Sequence, residues 1–172
     1  GVMNPYWDPA VQKYVRLFLG KYLNDYRERT LILGINPGRF GAGVTGVTFT
    51  DPVALADFCG VPNQLGRRRE LSSVFIYDMI ARFGGPEAFY SKFFLTAISP
   101  LGYTRGGLNL NYYDEPALAK AVTPFIVDST HWEPDLPAQG DTTVRYASRG
   151  ACQAVYDPAC RRQLYSSGTF TM

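Results

Sequence analysis

The chain has 172 residues, a net charge of +2 and 46% hydrophobic residues. This length is enough for one domain with a substantial core, and the composition excludes a disordered chain. No apolar run approaches the roughly 20 residues that cross a bilayer, and no signal-peptide pattern is present, so no membrane partner is expected. The small charge neither requires nor excludes a nucleic-acid partner, since a local basic patch is sufficient for binding.

The cysteine and histidine content limits the available chemistry. The three cysteines, Cys59, Cys152 and Cys160, form no CxxC pair and predict no disulfide framework. They cannot supply the four thiolates of an iron–sulfur cluster, and a single histidine argues against a zinc site at these spacings. We therefore expect a protein of the reducing cytoplasm that uses no metal and no cofactor.

The first third of the chain predicts a helix, a buried strand and a second helix. Asp8-Pro9 supplies a cap and a first-turn proline, and apolar residues at helical spacing extend the helix over residues 9–26. The unbroken apolar run within residues 30–35 predicts a strand buried on both faces. Residues 36–50 are predicted as loop, and Asp51-Pro52 begins a short helix that Gly60 ends.

The middle of the chain predicts two more helices. Ser72 or Ser73 is expected to cap a helix that stops at Gly84-Gly85. Pro86 then opens a short helix that continues through Tyr90.

A second buried strand is predicted over residues 93–98, followed by loop at residues 109–113 and a last helix capped by Asp114. Strands that alternate with helices are typical of a parallel sheet covered on both faces. The sequence therefore predicts the α/β class, with a three-layer αβα fold around a central, mostly parallel four-stranded sheet.

The character of the sequence changes near Ser129. Residues 129–172 have few aliphatic side chains, and these follow neither a helical nor a strand period. An α/β domain should offer another strand and helix at this point. We therefore expect a domain over residues 1–128, incomplete at its C-terminal part. Residues 129–172 form an atypical tail, either disordered or the product of truncation, a shifted reading frame or gene decay.

A polar residue stands where the first buried strand leaves the sheet. Asn36 follows this strand and is itself followed by Pro37-Gly38, at the edge where open α/β sheets bind ligands. The glycine-rich loop beyond it contains the formal GxGxxG match Gly41, Gly43 and Gly46. Five residues separate this match from the strand, and no helix begins after it, so a dinucleotide site is disfavoured. No phosphate-binding P-loop is present.

Several spaced blocks resemble the SMUG-type (single-strand-selective monofunctional) enzymes of the uracil-DNA glycosylase superfamily. The first motif is matched by Gly-Ile-Asn-Pro-Gly-Arg-Phe-Gly at residues 34–41 and by Thr-Gly-Val-Thr-Phe at residues 45–49. Later blocks of the family are matched by residues 85–90, Phe94, Ser99-Pro100-Leu101 and residues 107–110. Ile35 and residues 111–115 resemble a bacterial branch, and the match covers residues 4–128.

The resemblance implies hydrolysis of the N-glycosidic bond of uracil or another deaminated base in DNA, in base-excision repair. Such an enzyme flips the damaged base into a pocket, needs no cofactor and is expected to act as a monomer in the cytoplasm, near the nucleoid. Asn36 is the implied catalytic residue, which positions a water against the sugar C1′. The transition state would resemble an oxocarbenium ion, so positioning and electrostatics would carry the rate. The implied base-binding residues are Ile35, Gly38, Arg39, Phe40, Phe49 and Ser99.

Each of these residues also has a plain structural interpretation. Asn36 could simply cap a turn, and Phe49 could belong to the core rather than stack on a base. Arg67, Arg68 and Arg69 could bind DNA phosphates, although a charged triplet is more often a solvated turn.

Two departures from the SMUG-type pattern bear on activity. Ala97 stands where that pattern has a base-reading asparagine, so Thr96 or Ser99 would have to substitute and strict uracil selectivity is not expected. The second motif of the family, a His-Pro segment that stabilises the leaving base, has no match, because the single histidine, His131, precedes Trp132. We therefore expect activity to be strongly reduced or absent. The alternatives are a non-catalytic nucleic-acid or nucleobase-binding protein and an enzyme that processes free nucleosides.

Overall fold

The computed structural model describes residues 1–25 and 27–130. The expected tail, with His131, Cys152 and Cys160, lies outside the described residues apart from its first two positions. The described elements, with a short 3₁₀ helix at Pro5–Trp7, are β1 (Val2–Met3), α1 (Pro9–Tyr22), β2 (Thr30–Gly34), α2 (Ala42–Thr45), α3 (Pro52–Asp57), α4 (Leu71–Phe83), α5 (Pro86–Tyr90), β3 (Phe93–Ala97), β4 (Gly102–Arg105), β5 (Leu108–Leu110) and α6 (Pro116–Thr130).

The two predicted buried strands pair with each other. β2 and β3 run parallel, in a register that places Thr30 opposite Phe93 and Gly34 opposite Ala97. Both strands therefore end at the same level, and the segments that follow them leave the sheet side by side. This pairing confirms the prediction of both strands and places Asn36 at the shared carboxyl edge. The predicted burial of the first strand on both faces is wrong for the described residues, because Leu33 is 57% exposed.

A second sheet is antiparallel, in the order β1-β4-β5. Its hairpin turns at Gly106 and Gly107, which have φ angles of +55° and +75°. Positive φ at both central residues is the conformation of a two-residue hairpin turn, which glycine adopts without steric cost. The prediction of loop from residue 109 is therefore wrong for Asn109 and Leu110, which pair with Thr104 and Tyr103.

The α/β class is confirmed, but the predicted four-stranded, mostly parallel sheet is wrong for the described residues. These residues hold a two-stranded parallel sheet and a separate three-stranded antiparallel sheet. The physical reason is that only two apolar runs in this part of the chain are long enough for buried parallel strands. After the second run, a glycine pair folds the chain back on itself, where a parallel strand would need a helical crossover.

Aspartate caps begin two of the helices as the sequence predicts. Asp8 Oδ1 accepts the Ala10 N–H at 2.8 Å, and Asp51 Oδ1 accepts the Ala54 N–H at the same distance. The cap of α4 differs from the prediction, because Glu70 occupies the N-cap position and Ser73 accepts the Asp51 N–H with its hydroxyl. Within the described residues, no helix is long and apolar enough to cross a membrane.

The main core packs aromatic rings from α1, α4 and α5 beneath the parallel strands. Phe18 meets Tyr90 edge to face with ring centroids 5.1 Å apart, and Tyr90 also contacts the Tyr22 ring. The Tyr77 hydroxyl lies 2.9 Å from both the Thr50 hydroxyl and Cys59 Sγ. These buried polar groups fix the segment around Thr50, which leads directly into the candidate site.

Buried ionisable groups predict a loss of stability in alkali. Burial raises the pKa of the Cys59 thiol from 9.0 to about 12, and it raises the pKa of Tyr77 as well. Because the folded thiol holds its proton more tightly than the unfolded thiol, this stabilisation is complete below pH 9 and is lost as the pH rises towards 12. We expect the urea midpoint, followed by fluorescence, to fall between pH 9 and 11. A Cys59→Ala variant should show a shallower fall, whereas equal slopes in the two proteins would contradict this account.

Candidate functional site

A cavity of about 160 Å³ opens at the carboxyl ends of β2 and β3. Its floor is formed by Gly34 and Ala97, the last residues of the two strands, and three separate segments supply its walls. The wall residues that matter most are Asn36, Gly38, Phe49, Glu70, Asn109 and Asn111. The cavity therefore lies where open α/β sheets bind their ligands.

The Asn36 side chain is held between two backbone groups of the antiparallel sheet and the loop after it. Its Nδ2 donates to the Leu110 carbonyl oxygen at 3.0 Å, and its Oδ1 accepts the Tyr112 N–H at 3.0 Å. Because one partner only accepts and the other only donates, the orientation of the amide is unambiguous. A carbonyl oxygen has two acceptor positions, so Oδ1 retains capacity for one further donor, such as a water molecule.

The glycine-rich loop after Asn36 is fastened by backbone groups. The Gly43 N–H donates to the Gly38 carbonyl at 2.8 Å, and the Arg39 N–H donates to Asn109 Oδ1 at 3.1 Å. The Thr45 hydroxyl, fully buried at the end of α2, donates to the Thr50 carbonyl at 2.6 Å. This segment was predicted as loop throughout, and α2 is the short helix that the prediction missed.

Phe49 is the only non-glycine residue among those described with a positive φ, at +56°. This conformation is unfavourable for a bulky residue and persists where the surrounding structure imposes it. The ring lies against the end of β2, where a Cβ on Gly34 would approach its tip to 2.9 Å. Gly34 thus makes room for an aromatic ring that both packs on the core and lines the cavity.

Glu70 and Ser72 form the wall near the glycine-rich loop. The Glu70 carboxylate accepts the Phe40 N–H at 3.2 Å and the Ser72 hydroxyl proton at 2.7 Å. A Cβ on Gly38 would lie 2.7 Å from both carboxylate oxygens, and one on Gly41 would lie 2.9 Å from them. The two glycines therefore leave the space that this carboxylate occupies.

The structure brings some of the predicted site residues together. Those that line the cavity are Asn36, Gly38 and Phe49. Those that lie outside its lining are Ile35, Arg39, Phe40 and Ser99. The cavity is thus lined by three of the seven predicted catalytic and base-binding residues, together with residues that were not predicted to belong to the site.

Ser99 is buried, and its hydroxyl is used within the loop after β3. It donates to the Leu101 carbonyl at 3.0 Å and lies 3.0 Å from the Tyr103 hydroxyl. Ala97, by contrast, lies on the cavity floor and brings no hydrogen-bonding side chain to it. Base reading by Ser99 stays a prediction, which this geometry does not favour.

Two arginines stack on the Phe40 ring at the outside of the glycine-rich loop. The guanidinium carbon of Arg68 lies 3.5 Å from the ring centroid, and that of Arg39 lies 4.4 Å from it. Arg67 is engaged differently, because it forms an exposed ion pair with Asp57 at 3.0 Å. Arg68 is therefore the member of the predicted DNA-binding triplet that the structure places against the loop carrying Asn36.

Sequence reasoning missed five polar residues of the cavity as site residues, namely Thr48, Glu70, Ser72, Asn109 and Asn111. Asn109 lies in a block used for the resemblance, and its position in a Gly-Gly hairpin was the available signal. Glu70 gave no signal beyond an acidic residue before a helix. Within residues 1–25 and 27–130, no three His, Cys, Asp or Glu side chains cluster in a way that could hold a metal ion.

Comparison with solved structures finds a close relative. The chain is similar to wild-type SMUG2 of Pedobacter heparinus, a bacterial SMUG-type uracil-DNA glycosylase, with 46% identity and a TM-score of 0.67. The match covers 74% of this chain and 57% of that chain, so this chain spans little more than half the length of its relative. No family model and no curated protein matches the chain. The resemblance predicted from the sequence motifs is confirmed.

A matched pair of glycine substitutions tests the packing of the cavity wall. Gly38→Ala should lower the free energy of unfolding by about 1–3 kcal/mol, because the new methyl group overlaps the Glu70 carboxylate. Gly20→Ala, inside α1 with no atom within 4 Å of the added Cβ, should instead raise it by about 0.5–1 kcal/mol. Urea denaturation measures both. Equal changes in the free energy of unfolding for the two substitutions would show that the loop adjusts to the added methyl group and is not tightly packed against Glu70.

Proposed function

We propose, from the relationship of this chain to the SMUG-type uracil-DNA glycosylases, that it acts on DNA as a monofunctional glycosylase. The reaction is hydrolysis of the N-glycosidic bond of uracil or another deaminated base. The observation that carries this proposal is the juxtaposition of Asn36 and Phe49 on one cavity at the carboxyl edge of the parallel strands. An amide that can orient water and an aromatic ring that can stack on a base are the two groups that this chemistry needs.

The proposed role of Asn36 follows from its fixed amide. The oxygen is held by the Tyr112 N–H and keeps one acceptor position for a water. An amide is a poor base, so the residue would orient the water towards C1′ while the glycosidic bond breaks. In a dissociative, oxocarbenium-like transition state, such positioning and the fixed dipoles of the site supply most of the rate enhancement.

The proposed base selectivity is broad. Ala97 lines the cavity where the SMUG-type pattern has a base-reading asparagine. Its methyl side chain forms no hydrogen bond, so it cannot distinguish uracil from a deaminated purine. Apart from Asn36, the polar side chains of the lining belong to Thr48, Glu70, Ser72, Asn109 and Asn111. We expect oligonucleotides with uracil, hypoxanthine and xanthine to be processed within a narrow range of rates.

A second candidate function, base binding without catalysis, is favoured by one observation. The described residues contain no histidine, and no cationic side chain lines the cavity to stabilise negative charge on a departing base. Removal of one such stabilising group typically costs about 10²–10³ in rate. We propose that activity is low for this reason, and the two candidates differ in whether base release is detectable.

A release assay separates the two functions. With protein in excess over a uracil-containing oligonucleotide, base release should be slow but measurable by cleavage at the abasic product. Asn36→Ala should reduce it by at least about 10²-fold, since the water is no longer oriented. Binding by gel shift without release in the unsubstituted chain would rule out the glycosylase and leave the binding protein.

Phosphate binding by Arg68 can be tested against its neighbour. Arg68→Ala should weaken DNA binding and reduce the slope of log K against log salt by about 0.7–0.9, the value for one lost phosphate contact. Arg67→Ala is the matched control, because Arg67 is paired with Asp57 and its loss should change the slope less. Fluorescence anisotropy across a salt series measures both, and identical slopes in all three proteins would contradict the assignment.

A further inference from the structure

Glu70 occupies an N-cap position but does not cap its own helix. Its side chain makes no cap hydrogen bond to α4, although short polar side chains usually do so at this position. The carboxylate instead reaches the Phe40 N–H, 30 residues earlier in the chain, at 3.2 Å. The same carboxylate accepts the Ser72 hydroxyl in the first turn of α4, so it joins the start of this helix to the glycine-rich loop.

The backbone of Glu70 is fixed from the core. Its N–H donates to Asp51 Oδ2 at 3.0 Å, and Asp51 is only 1% exposed. The other oxygen of Asp51 caps α3 through Ala54, and the Asp51 N–H donates to the Ser73 hydroxyl. The base of the Glu70 side chain is thus held by a buried network that also fixes the starts of α3 and α4.

The carboxylate of Glu70 is also fixed by hydrogen bonds and packing. One carboxylate oxygen takes the Phe40 N–H, the other takes the Ser72 hydroxyl proton, and the missing side chains of Gly38 and Gly41 leave the space that the carboxylate fills. The same carboxylate lines the cavity with Asn36 and Phe49. Because the carboxylate accepts from both the loop and α4 and fits against the two glycines, this contact can set the shape of the loop.

We propose that Glu70 is a positioning residue that holds the loop of residues 36–41 in its base-binding shape. The inference rests on the proposed function for its effect on base binding, but the anchoring of the loop stands on the geometry alone. Glu70 acts through the Phe40 amide and the two glycines, and it fixes the loop that begins at Asn36. Because its carboxylate also accepts the Ser72 hydroxyl of α4, its effect on the loop has to be separated from its effect on the helix.

Two substitutions of Glu70 separate anchoring from helix capping. Glu70→Gln keeps the length of the side chain and an acceptor oxygen, so it should preserve the bond to Phe40. Glu70→Ser supplies a favourable N-cap residue for α4 but is too short to reach the loop. If Glu70 anchors the loop, the glutamine variant behaves like the unsubstituted chain and the serine variant does not. If Glu70 serves only as the N-cap residue of α4, the serine variant should protect the Phe40 amide and bind DNA at least as well as the unsubstituted chain.

The first measurement is independent of any activity. Amide hydrogen exchange of Phe40 in the full chain should be at least tenfold faster in Glu70→Ser than in the unsubstituted chain, and nearly unchanged in Glu70→Gln. Exchange of amides within α4 should not accelerate in either variant. Retained Phe40 protection in Glu70→Ser would overturn the anchoring proposal.

The second measurement tests the consequence for the site. The dissociation constant for a uracil-containing oligonucleotide should rise about 10- to 100-fold in Glu70→Ser, as expected for one lost hydrogen bond to a charged group, and less than threefold in Glu70→Gln. Unchanged affinity in Glu70→Ser, with Phe40 protection lost, would overturn the role in base binding. If the unsubstituted chain itself showed no preference for uracil-containing DNA, the proposed function would fail, while the exchange experiment would still decide whether Glu70 anchors the loop.

Discussion

The site depends on the two hydrogen bonds of the Asn36 amide. Asn36 leaves the parallel sheet, and its side chain binds Leu110 and Tyr112, at the end of the antiparallel sheet and just beyond it. The cavity lies between these segments, so the same bonds that orient the amide also close one wall. Net contributions of single hydrogen bonds are small, about 0.5–1.5 kcal/mol, but a buried amide left without partners costs more than its bonds contribute. The pairing therefore specifies a geometry more than it adds stability.

Glycine at three positions allows side chains to reach this geometry. Gly34 gives space to the Phe49 ring, and Gly38 and Gly41 give space to the Glu70 carboxylate. In each case the bulky partner comes from a segment remote in sequence, so the glycines serve tertiary contacts rather than turns. Phe49 adopts an unfavourable φ of +56° in the position where its ring both packs on the core and lines the cavity.

The sequence was sufficient for elements whose signals are local. The two parallel strands, the Asp8 and Asp51 caps and the position of Asn36 follow from apolar runs and capping chemistry that neighbouring residues determine, although burial of the first strand on both faces does not. The number of strands in the parallel sheet could not be predicted in the same way. Four strands were expected from the fold class, whereas the described residues contain only two apolar runs that form parallel strands. Glu70 could not be found either, since its function arises from a contact with Phe40 that no local pattern encodes. The Gly106-Gly107 hairpin was predictable from its dipeptide and was overlooked.

The walls of the cavity differ in how they are supported, and this difference bears on their roles. Phe49 is packed against the main core. Asn36, by contrast, accepts the Tyr112 N–H and donates to the Leu110 carbonyl, and Glu70 accepts the Phe40 N–H. Packing tolerates few changes of volume, while a hydrogen bond is lost with a single atom. Stacking on Phe49 would therefore survive distortions that misalign the amide and the carboxylate. Under the proposed function, the water positioning assigned to Asn36 is therefore more sensitive to small displacements than the stacking assigned to Phe49, so base binding without release is a physically coherent alternative for the same cavity.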